Sequence, residues 1–303
     1  VCDDRSEDST ASRALEASNK DPRFRLVQGE EPHPGWAGKP WACQRLASEA
    51  TGDLLLFVDA DVQLAPWILK ASVHELCERE LGLLSLFGDW SLRSFWEKTV
   101  VPVVGWLIRG TLNLDEVNDP ASATAFANGQ FILVDKKAYD RVGGHAAVRA
   151  EVLEDVRLAK AFKTRALLLA LMHAPGGFSV RLYTSLSEIV SGYSKNLYEG
   201  LGRRLGLGLG AILFVFVRTL LPFLLFFGLC YGGLFRGWDL ALYWYVWSGL
   251  VCLMIPFFRW RIERKDGRSG WHALTHVLGN LVLVWILLRA IFAIESEWKG
   301  RRF

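Results

Sequence analysis

The sequence predicts an α/β fold, in which a parallel sheet carries helices on both faces, followed by apolar membrane-spanning helices. Short apolar runs without polar alternation, typical of strands buried on both faces, recur between segments with helical spacing. Hydrophobic residues make up 51% of the chain. They concentrate in residues 206–294, whereas most charged segments lie before residue 206. We therefore predict a polar α/β domain over residues 1–204 and a membrane domain over residues 205–303.

Composition and charge exclude several classes of protein. The net charge is only +3, and the polar half has no stripe of Arg and Lys with interleaved aromatic residues, which argues against a nucleic acid partner. The five cysteines show no CxxC spacing, so neither a disulfide framework nor a zinc site is expected. We expect a catalytic half that faces the reducing cytosol.

The first residues predict the end of a strand. Val1–Asp4 enters a polar turn, and residues 6–10 supply N-cap chemistry for a helix over residues 11–19. A strand that ends at the second residue needs a beginning, so we expect an upstream βα unit. Further strands are predicted over residues 24–27, 81–87, 125–134 and 178–183, and further helices over residues 41–50, 66–79, 139–144 and from residue 152.

The polar half is organised around Gly52–Asp61 (GDLLLFVDAD). Residues 54–58 form a short apolar run that predicts a buried strand, and Asp59 and Asp61 follow it directly. Open α/β sheets bind ligands at the carboxyl ends of their strands. Two carboxylates on a tight turn there can hold a hard divalent cation that keeps positions open for phosphate oxygens. A pair of solvated turn aspartates is the alternative.

Two helix starts carry charges that suggest a binding site. Lys39 stands at a predicted helix N-terminus, where a cation opposes the helix dipole unless an anion such as phosphate is shared. A plain surface lysine is the alternative. Glu154 and Asp155 open another helix, where capping explains acidic residues. A general base aimed at the strand ends is the functional alternative.

Two segments near the domain boundary are harder to interpret. Residues 90–111 are apolar and aromatic but are interrupted by Pro102 and Gly105. We favour an interfacial helix in contact with lipid over core packing. Residues 191–196 (SGYSKN) are predicted to form a polar turn ahead of the apolar region.

Three apolar runs are long enough to cross a bilayer, over about residues 205–234, 240–258 and 271–294. Residues 259–270 carry five Arg and Lys against two acidic residues and are predicted to be cytoplasmic. Arg203 and Arg204 place the catalytic side in the cytoplasm as well. The basic tail, residues 297–303, should also lie inside, which favours a re-entrant or interfacial last segment over a third full crossing.

Seven motifs occur in one order along the chain: DDRSEDST, GWAGKPWA, DAD, NGQFIL, ED, RLY and GYSKN. As an ordered set they resemble the membrane-attached glycosyltransferases of family 2. The resemblance implies the GT-A fold, a Rossmann-like fold with a mixed, mainly parallel sheet. The pattern is most similar to bacterial enzymes that glycosylate polyisoprenoid lipids, such as the carotenoid (chlorobactene-type) and hopanoid-associated glycosyltransferases. The Gln-x-x-Arg-Trp motif of processive members is absent, which argues against a cellulose- or hyaluronan-type synthase.

The resemblance implies roles on the nucleotide side of the site. Asp4 would meet the nucleotide base or ribose, Asp3 would lie in its neighbourhood, and Lys39 would lie near the diphosphate. Asp59 and Asp61 would hold Mg²⁺ or Mn²⁺ on that diphosphate, with Asp61 the more direct ligand.

It also implies roles around the sugar. Asn128, Gly129 and Gln130 would line the donor-sugar pocket. Asp155 would be the general base, with Glu154 beside it. Contacts to the leaving group are assigned to Arg181 and Lys195.

The implied reaction moves a sugar such as glucose from a nucleotide-sugar donor, expected to be a UDP-sugar, to a lipid acceptor in the membrane. A metal and lysines would neutralise the departing diphosphate, while Asp155 accepts a proton from the acceptor. One base without a second protein nucleophile suggests direct displacement with inversion. A processive polysaccharide synthase, a non-catalytic nucleotide-sugar-binding protein and a transporter are the alternatives.

Overall fold

The structure is a computed structural model that describes residues 1–239 and 241–292, with the backbone of residues 297–298 and 301–302. It divides into two compact units. The first comprises Val1–Ser91 and Leu112–Leu182, and the second comprises Leu92–Thr111 and the described residues from Tyr183 onward. The predicted boundary at residue 204 marks where the apolar run begins, whereas these units follow the packing of the helices.

The helices and strands of the first part of the chain follow the predicted alternation. In order they are β1 (Cys2–Asp3), α1 (Thr10–Ala17), β2 (Val27–Gln28), α2 (Gly38–Glu49), β3 (Leu54–Val58), β4 (Val62–Leu64), α3 (Ile68–Glu78), β5 (Leu83–Phe87), β6 (Asp89–Trp90), α4 (Phe95–Thr111), α5 (Leu114–Asn118), β7 (Phe131–Asp135), α6 (Lys136–Val142), a 3₁₀ turn (Gly144–Val148), α7 (Glu154–Thr164), β8 (Leu169–His173) and β9 (Phe178–Val180). Of these, α4 belongs to the second unit.

A four-stranded sheet with the order β3-β7-β5-β8 forms the centre of the first unit. Strands β3, β5 and β8 point the same way, and β7 runs against them between β3 and β5. The sheet is therefore mixed and mainly parallel, as expected. A second sheet has the order β4-β9-β6, and β1 and β2 form a separate parallel pair.

Helices cover both faces of the central sheet. Alternate strand residues such as Ile132 and Val134 join one apolar cluster with α2, α6 and α7. Their neighbours, such as Phe131 and Leu133, join a second cluster with α3. Residues 131–134 are all at most 2% exposed, which explains why the run lacks polar alternation.

Three helical segments of the second unit are long and apolar enough to cross a membrane: Leu205–Phe235, Leu242–Lys265 and Trp271–Phe292. The first consists of α9 (Leu205–Val215), a π-helical turn (Phe216–Leu220) and α10 (Leu221–Phe235). The second is α11 (Leu242–Lys265), and the third joins a 3₁₀ turn (Trp271–Thr275) to α12 (His276–Phe292). In the most apolar stretch of the third segment 44% of the residues are buried, against 11% in each of the other two segments. The third segment, which contains α12, is therefore the central one of this unit.

The end of the chain is described only in part. Residues 297–298 and 301–302 form a short antiparallel pair, β10 (Glu297–Trp298) and β11 (Arg301–Arg302). The predicted end of the third span at residues 293–294 lies outside the described residues. The predicted cytoplasmic side of the tail stays a prediction.

Two predictions near the boundary were wrong. Residues 191–196 are not a turn but lie within α8 (Leu186–Gly200), where Tyr193 and Ser194 are buried. The Ser185 hydroxyl accepts a hydrogen bond from the Glu188 N–H at 3.2 Å. This N-terminal cap precedes residues 191–196 in the sequence, so the helix has already begun when the polar stretch is reached.

The middle of α4 is core rather than lipid contact. Residues 99–105 are buried, and Val100 and Val104 are fully covered by protein. The helix packs on α12 and α8 within the second unit. The core-packing alternative therefore holds for this stretch. The strand expected over residues 24–27 is also shorter and shifted, and consists of β2 alone.

Candidate active site

A lysine and two carboxylates meet where strands of the first unit end. Lys39 extends from the first turn of α2, so that its Nζ lies 2.8 Å from Asp59 Oδ1 and 3.0 Å from Glu154 Oε1. Asp59 follows β3, and Glu154 is the first residue of α7. The side chain of Asp59 is 33% exposed and that of Glu154 only 8%. Lys39 thus forms ion pairs with a partly exposed carboxylate, Asp59, and with a nearly buried one, Glu154.

Asp155 is held beside this ion pair by two backbone donors. Its Oδ2 accepts a hydrogen bond from the Gly129 N–H, and its Oδ1 accepts one from the Val156 N–H, both at 2.8 Å. The second bond shows that Asp155 also satisfies a first-turn donor of its own helix, as the capping alternative expects. The first bond ties it to the loop before β7, so its carboxylate has a fixed direction.

Gly129 is the point where Lys39 and Asp155 approach each other. A Cβ atom on residue 129 would lie 2.9 Å from Lys39 Nζ and 3.0 Å from Asp155 Oδ2. Both distances are shorter than ordinary van der Waals contacts. Because residue 129 has no side chain, the Lys39 ammonium and the Asp155 carboxylate can both lie next to it.

The loop carrying Gly129 is fixed to the end of β5. The Asn128 N–H donates to Ser85 Oγ at 2.7 Å, and the Ser85 hydroxyl donates back to Asn128 O at 3.2 Å. The side-chain amide of Asn128 donates to Leu86 O at 2.7 Å and to Gln130 Oε1 at 3.1 Å. Asn128 and Gln130 are thus engaged in shaping the loop. Sequence reasoning missed Ser85, although a lone hydroxyl in the apolar run LLSLF is a visible signal.

A cavity of about 370 Å³ opens beside these groups. Its charged end is lined by Lys39, Asp59 and Glu154. Its apolar walls come from α2, including Cys43, and from β3, and His145 of the 3₁₀ turn also lines it. A cavity of this size, mostly apolar with a few convergent charges, is the kind that binds small molecules.

His145, which lines the cavity, belongs to a buried hydrogen-bonded group that the sequence did not reveal. The Tyr139 hydroxyl and the ring Nδ1 of His145 lie 2.8 Å apart, and the backbone N–H of His145 donates to the same hydroxyl at 2.9 Å. The Ala146 N–H donates to Gln44 Oε1 at 3.0 Å. Burial, and then the charge of Lys39, lowers the pKa of His145 to about 4, so its ring is neutral and structural at neutral pH. Burial raises the pKa of the Cys43 thiol to about 12, which makes it a poor nucleophile.

Charge is unevenly balanced in the cluster. Burial alone would lower the pKa of Lys39, but the carboxylates of Glu154, Asp59 and Asp155 raise it above its ordinary value. Burial, and then the charge of Glu154, raises the pKa of Asp155 to about 7. Lys39 thus faces the carboxylates of Asp59 and Glu154 together with a carboxyl group, Asp155, that is only partly ionised at neutral pH.

Asp61 and Arg181 come together at the end of the second sheet. Strand β4 pairs antiparallel with β9, with Val62 opposite Val180. Asp61 and Arg181 are the next residues in that register, directly before β4 and after β9. Asp61 is exposed and Arg181 is half-buried. The register therefore brings the predicted metal ligand beside a predicted leaving-group contact.

The predicted nucleoside contacts lie on β1 and the turn after it. Asp3 is 5% exposed, and its Oδ1 accepts a hydrogen bond from the Ser6 N–H at 3.3 Å. Asp4 is exposed, with its Oδ1 lying 3.9 Å from Arg5 Nε. Lys195 lies on α8, in the second unit.

The donor set fits a hard divalent cation that is held only in part by protein. Asp59 and Asp61 offer carboxylate oxygens, the ligands that Mg²⁺ prefers together with phosphate and water. Among the described residues, no group of three His, Cys, Asp or Glu side chains is arranged to hold a metal. The excess of carboxylates over ammonium groups around Lys39 is compatible in charge with such a cation.

Part of the chain is similar to curated proteins of one name. The chain is 27% identical over 203 residues to a 4,4'-diaponeurosporenoate glycosyltransferase of Staphylococcus haemolyticus, covering 66% of this chain and 53% of the relative. It is 26% identical over 178 residues to the enzyme of that name from Staphylococcus aureus, covering 55% and 45% of the two chains. The chain thus spans about half the length of these curated relatives.

The fold has a counterpart among solved structures. The mannosyltransferase PcManGT from Pyrobaculum calidifontis, solved in complex with GDP-Man and Mn²⁺, superposes with a TM-score of 0.50 at 15% identity. The superposition covers 97% of this chain and 78% of that one. The family model described as glycosyl transferase family 2 matches residues 1–157. This match extends over more than half of the sequence and confirms the resemblance drawn from the motifs: the chain belongs to glycosyl transferase family 2.

Proposed function

We propose that the protein transfers a sugar from a nucleoside diphosphate donor to a lipid acceptor at the membrane, with inversion at the anomeric carbon. The observation that carries this proposal is the cluster of Lys39, Asp59 and Glu154 at the charged end of a cavity, with Asp155 held beside it by the Gly129 N–H. A UDP-sugar of a hexose such as glucose is the donor we favour. The proposal extends the family assignment to a substrate class and a mechanism.

The donor side needs positive charge for the departing diphosphate. Lys39 supplies an ammonium at the start of α2, where helix N–H groups also favour phosphate. Asp59 and Asp61 would hold Mg²⁺ or Mn²⁺, which supplies Lewis-acid stabilisation of the leaving group when bound. Arg181, beside Asp61 in the strand register, adds a second fixed cation.

The acceptor side needs a proton acceptor with a fixed direction. Asp155 meets this need, because two backbone N–H groups hold its carboxylate. Its pKa of about 7 suits a general base, which works best when its pKa lies near the operating pH. Its neighbour Glu154 is occupied by Lys39 and so has a positioning role. A single base without a protein nucleophile supports direct displacement.

The apolar helices support a lipid acceptor. Three of them are long enough to cross a bilayer, and many of their large side chains are exposed, including Leu253 at 69% and Trp247 at 65%. Such surfaces suit contact with hydrocarbon. We infer an integral protein of the inner or plasma membrane, with the basic segment 259–270 and the catalytic unit on the cytoplasmic side. The two relatives named for 4,4'-diaponeurosporenoate support an acceptor of polyisoprenoid type.

Membranes that contain the full chain provide the test. They are incubated with labelled UDP-glucose, UDP-galactose or GDP-mannose, with and without EDTA, and the lipids are then extracted. We expect label in the lipid fraction with one donor, only when metal is present, and not with the Asp155→Asn variant. A single added sugar per lipid is expected from the proposed mechanism.

Other outcomes would favour the rival functions. Extended polymer in the aqueous phase would support a processive synthase. Donor binding without transfer, equal in the natural protein and in Asp155→Asn, would support a non-catalytic nucleotide-sugar-binding protein. Transfer with retention of anomeric configuration would refute direct displacement.

A further inference from the structure

The first two apolar segments of the second unit fold back on each other. The Cys252 thiol of α11 donates to Pro222 O of α10 at 3.4 Å. A Cβ on Gly249 would lie 3.1 Å from the Phe226 ring. Residue numbers on α11 fall as those on α10 rise, so the two helices are antiparallel. They form a hairpin whose closed end is the turn after α10, which contains Gly237.

The third segment begins near the open end of this hairpin, beside α4. Arg259 of α11 donates from Nη2 to Lys98 O at 2.9 Å and to Thr99 O at 3.3 Å. The Thr275 hydroxyl donates to Thr99 Oγ1 at 3.1 Å. A Cβ on Gly279 would lie 2.5 Å from Thr99 O. Arg259 and the start of α12 therefore lie at the same height along the hairpin.

The end of α12 lies beside the start of the first segment. A Cβ on Gly208, near the start of α9, would lie 2.6 Å from Ile291 Cδ1. The Ser194 hydroxyl of α8 donates to Ile286 O at 3.3 Å, and β10 lies against α8 as well. Helix α12 thus runs antiparallel to α9, back towards the residues that follow α8. In the chain, α8 comes directly after the first unit, so this end of the second unit is its catalytic side.

A third full crossing would end in another place. A helix that crossed the bilayer from the open end of the hairpin would finish beside the closed end, near Gly237, whereas Ile291 lies beside Gly208. We propose that the third apolar segment does not cross the bilayer but lies in the leaflet on the catalytic side, where one of its faces contacts acyl chains. The chain then crosses twice, and β10 lies on the catalytic side. This inference rests on the membrane insertion that forms part of the proposed function, and it is independent of sugar transfer.

One face of the third segment carries the side chains that contact with hydrocarbon requires. Its large apolar residues that are 37–76% exposed recur every three or four positions, at Leu274, Leu278, Leu281, Trp285, Leu288 and Phe292. This spacing places them in one stripe along a helix. The opposite face is buried and includes Leu283 and Ile286. Helix α9, which packs beside α12, exposes Leu209 and Leu213, so the stripe continues the apolar surface of the first segment.

Polar residues surround the other side and the end of α12. Helix α8, which packs on α12, has its exposed positions at Ser187, Glu188, Asn196 and Gly200, which suits contact with water. Arg289 is exposed near the end of α12, and Arg203 and Arg204 are exposed directly before α9. Arginines at helix ends extend their guanidinium groups to the membrane surface. A helix with lipid on one side and water-facing protein on the other lies in the plane of a leaflet.

Epitope tags read by protease digestion test the number of crossings. Three variants of the full chain carry one tag each, after Phe303, after Lys20 in an exposed turn of the first unit, and after Gly237 at the closed end of the hairpin. Each variant is digested in sealed membrane vesicles of both orientations. We expect the tags at residues 20 and 303 to be lost in the same vesicles, and the tag at residue 237 only in vesicles of the opposite orientation.

Two digestion patterns would overturn the inference. Loss of the tag at residue 303 together with the tag at residue 237 would show a third crossing. Loss of all three tags in the same vesicles would show that the first two segments do not cross. Release of the protein by an alkaline carbonate wash would overturn the membrane insertion itself. Sugar transfer enters none of these measurements, so a failure here is distinct from a failure of the proposed reaction.

Photocrosslinking tests hydrocarbon as the partner of the stripe. Benzoylphenylalanine in place of Leu281 should form adducts with labelled lipid about as often as benzoylphenylalanine in place of Trp247, an exposed position of the hairpin. In place of Ser187, which is exposed on α8, it should form none. Leu288 is the second position if the change at residue 281 alters thermal unfolding. Adducts with protein at both stripe positions, or lipid adducts at residue 247 alone, would overturn the lipid contact.

Discussion

The pH dependence of turnover offers a direct test of Asp155 as the base. Burial and the charge of Glu154 raise the pKa of Asp155 to about 7 in the site without ligand. A general base must be ionised, so activity is lost as the pH falls through this pKa. At pH 6 only about a tenth of the carboxylate is ionised and at pH 8 about nine tenths, so kcat/KM for the donor should rise about tenfold over this range.

Two neighbouring charges should move the acidic limb of the pH profile of kcat/KM in opposite directions. Glu154 raises the pKa of Asp155 and Lys39 lowers it. Glu154→Gln should therefore shift the limb to lower pH, and Lys39→Gln should shift it to higher pH, whatever each variant does to the absolute rate. The profile of kcat/KM reports the free enzyme, which makes it the right measurement. A limb that stays in place in both variants, or moves the same way, would refute the reasoning.

The same shift has a consequence for stability that needs no substrate. Because the folded-state pKa of Asp155 is raised above its ordinary value of 3.8, its contribution to stability is present at low pH and is lost as the pH rises through about 7. Asp155→Asn cannot ionise and should raise the midpoint of thermal unfolding at pH 8 more than at pH 5. A larger gain at pH 5 would contradict the assignment.

Further predictions follow from individual contacts. Gly129→Ala should lower turnover by about 100-fold, since it displaces Lys39 or Asp155, with little loss of stability; Gly110→Ala on α4, where a Cβ meets nothing within 4 Å, should leave turnover unchanged. Asp61→Asn should raise the Mn²⁺ concentration that gives half-maximal transfer, and EDTA should abolish transfer by the natural protein. Arg259→Met should destabilise the second unit by about 3–5 kcal/mol in thermal or denaturant unfolding, because it leaves a buried carboxylate without its partner. Arg264→Met, at an exposed position on the same helix, is its control.

The sequence predicted the strand ends of the site because they depend on local pattern. The apolar run at residues 54–58 forms β3, although only Leu55 is fully buried and Val58 is exposed, and such a run is visible in the sequence without knowledge of its neighbours. Asp59 and Asp61 then follow at the carboxyl end by chain connectivity alone. The starts of α2 and α7 carried a charge signal for the same reason, since helix ends constrain the residues beside them.

Long-range pairings could not be predicted in this way. The reversed direction of β7 depends on where the chain returns to the sheet, and residues 131–134 look the same in either direction. The bonds between Ser85 and Asn128 join residues that are 43 positions apart. The ion pair of Lys39 with Glu154 likewise follows only from the folded arrangement of α2 and α7.

Helix α4 determines how this protein can be divided for experiments. It is encoded inside the polar half, yet it packs with the apolar helices of the second unit. Cutting the chain once, at residue 204, would keep α4 and α8 but remove α12, leaving apolar residues of α4 such as Val103 without that partner. Such a fragment is expected to aggregate. A water-soluble form should instead contain the first unit alone, with residues 92–111 replaced by a flexible linker from Ser91 to Leu112.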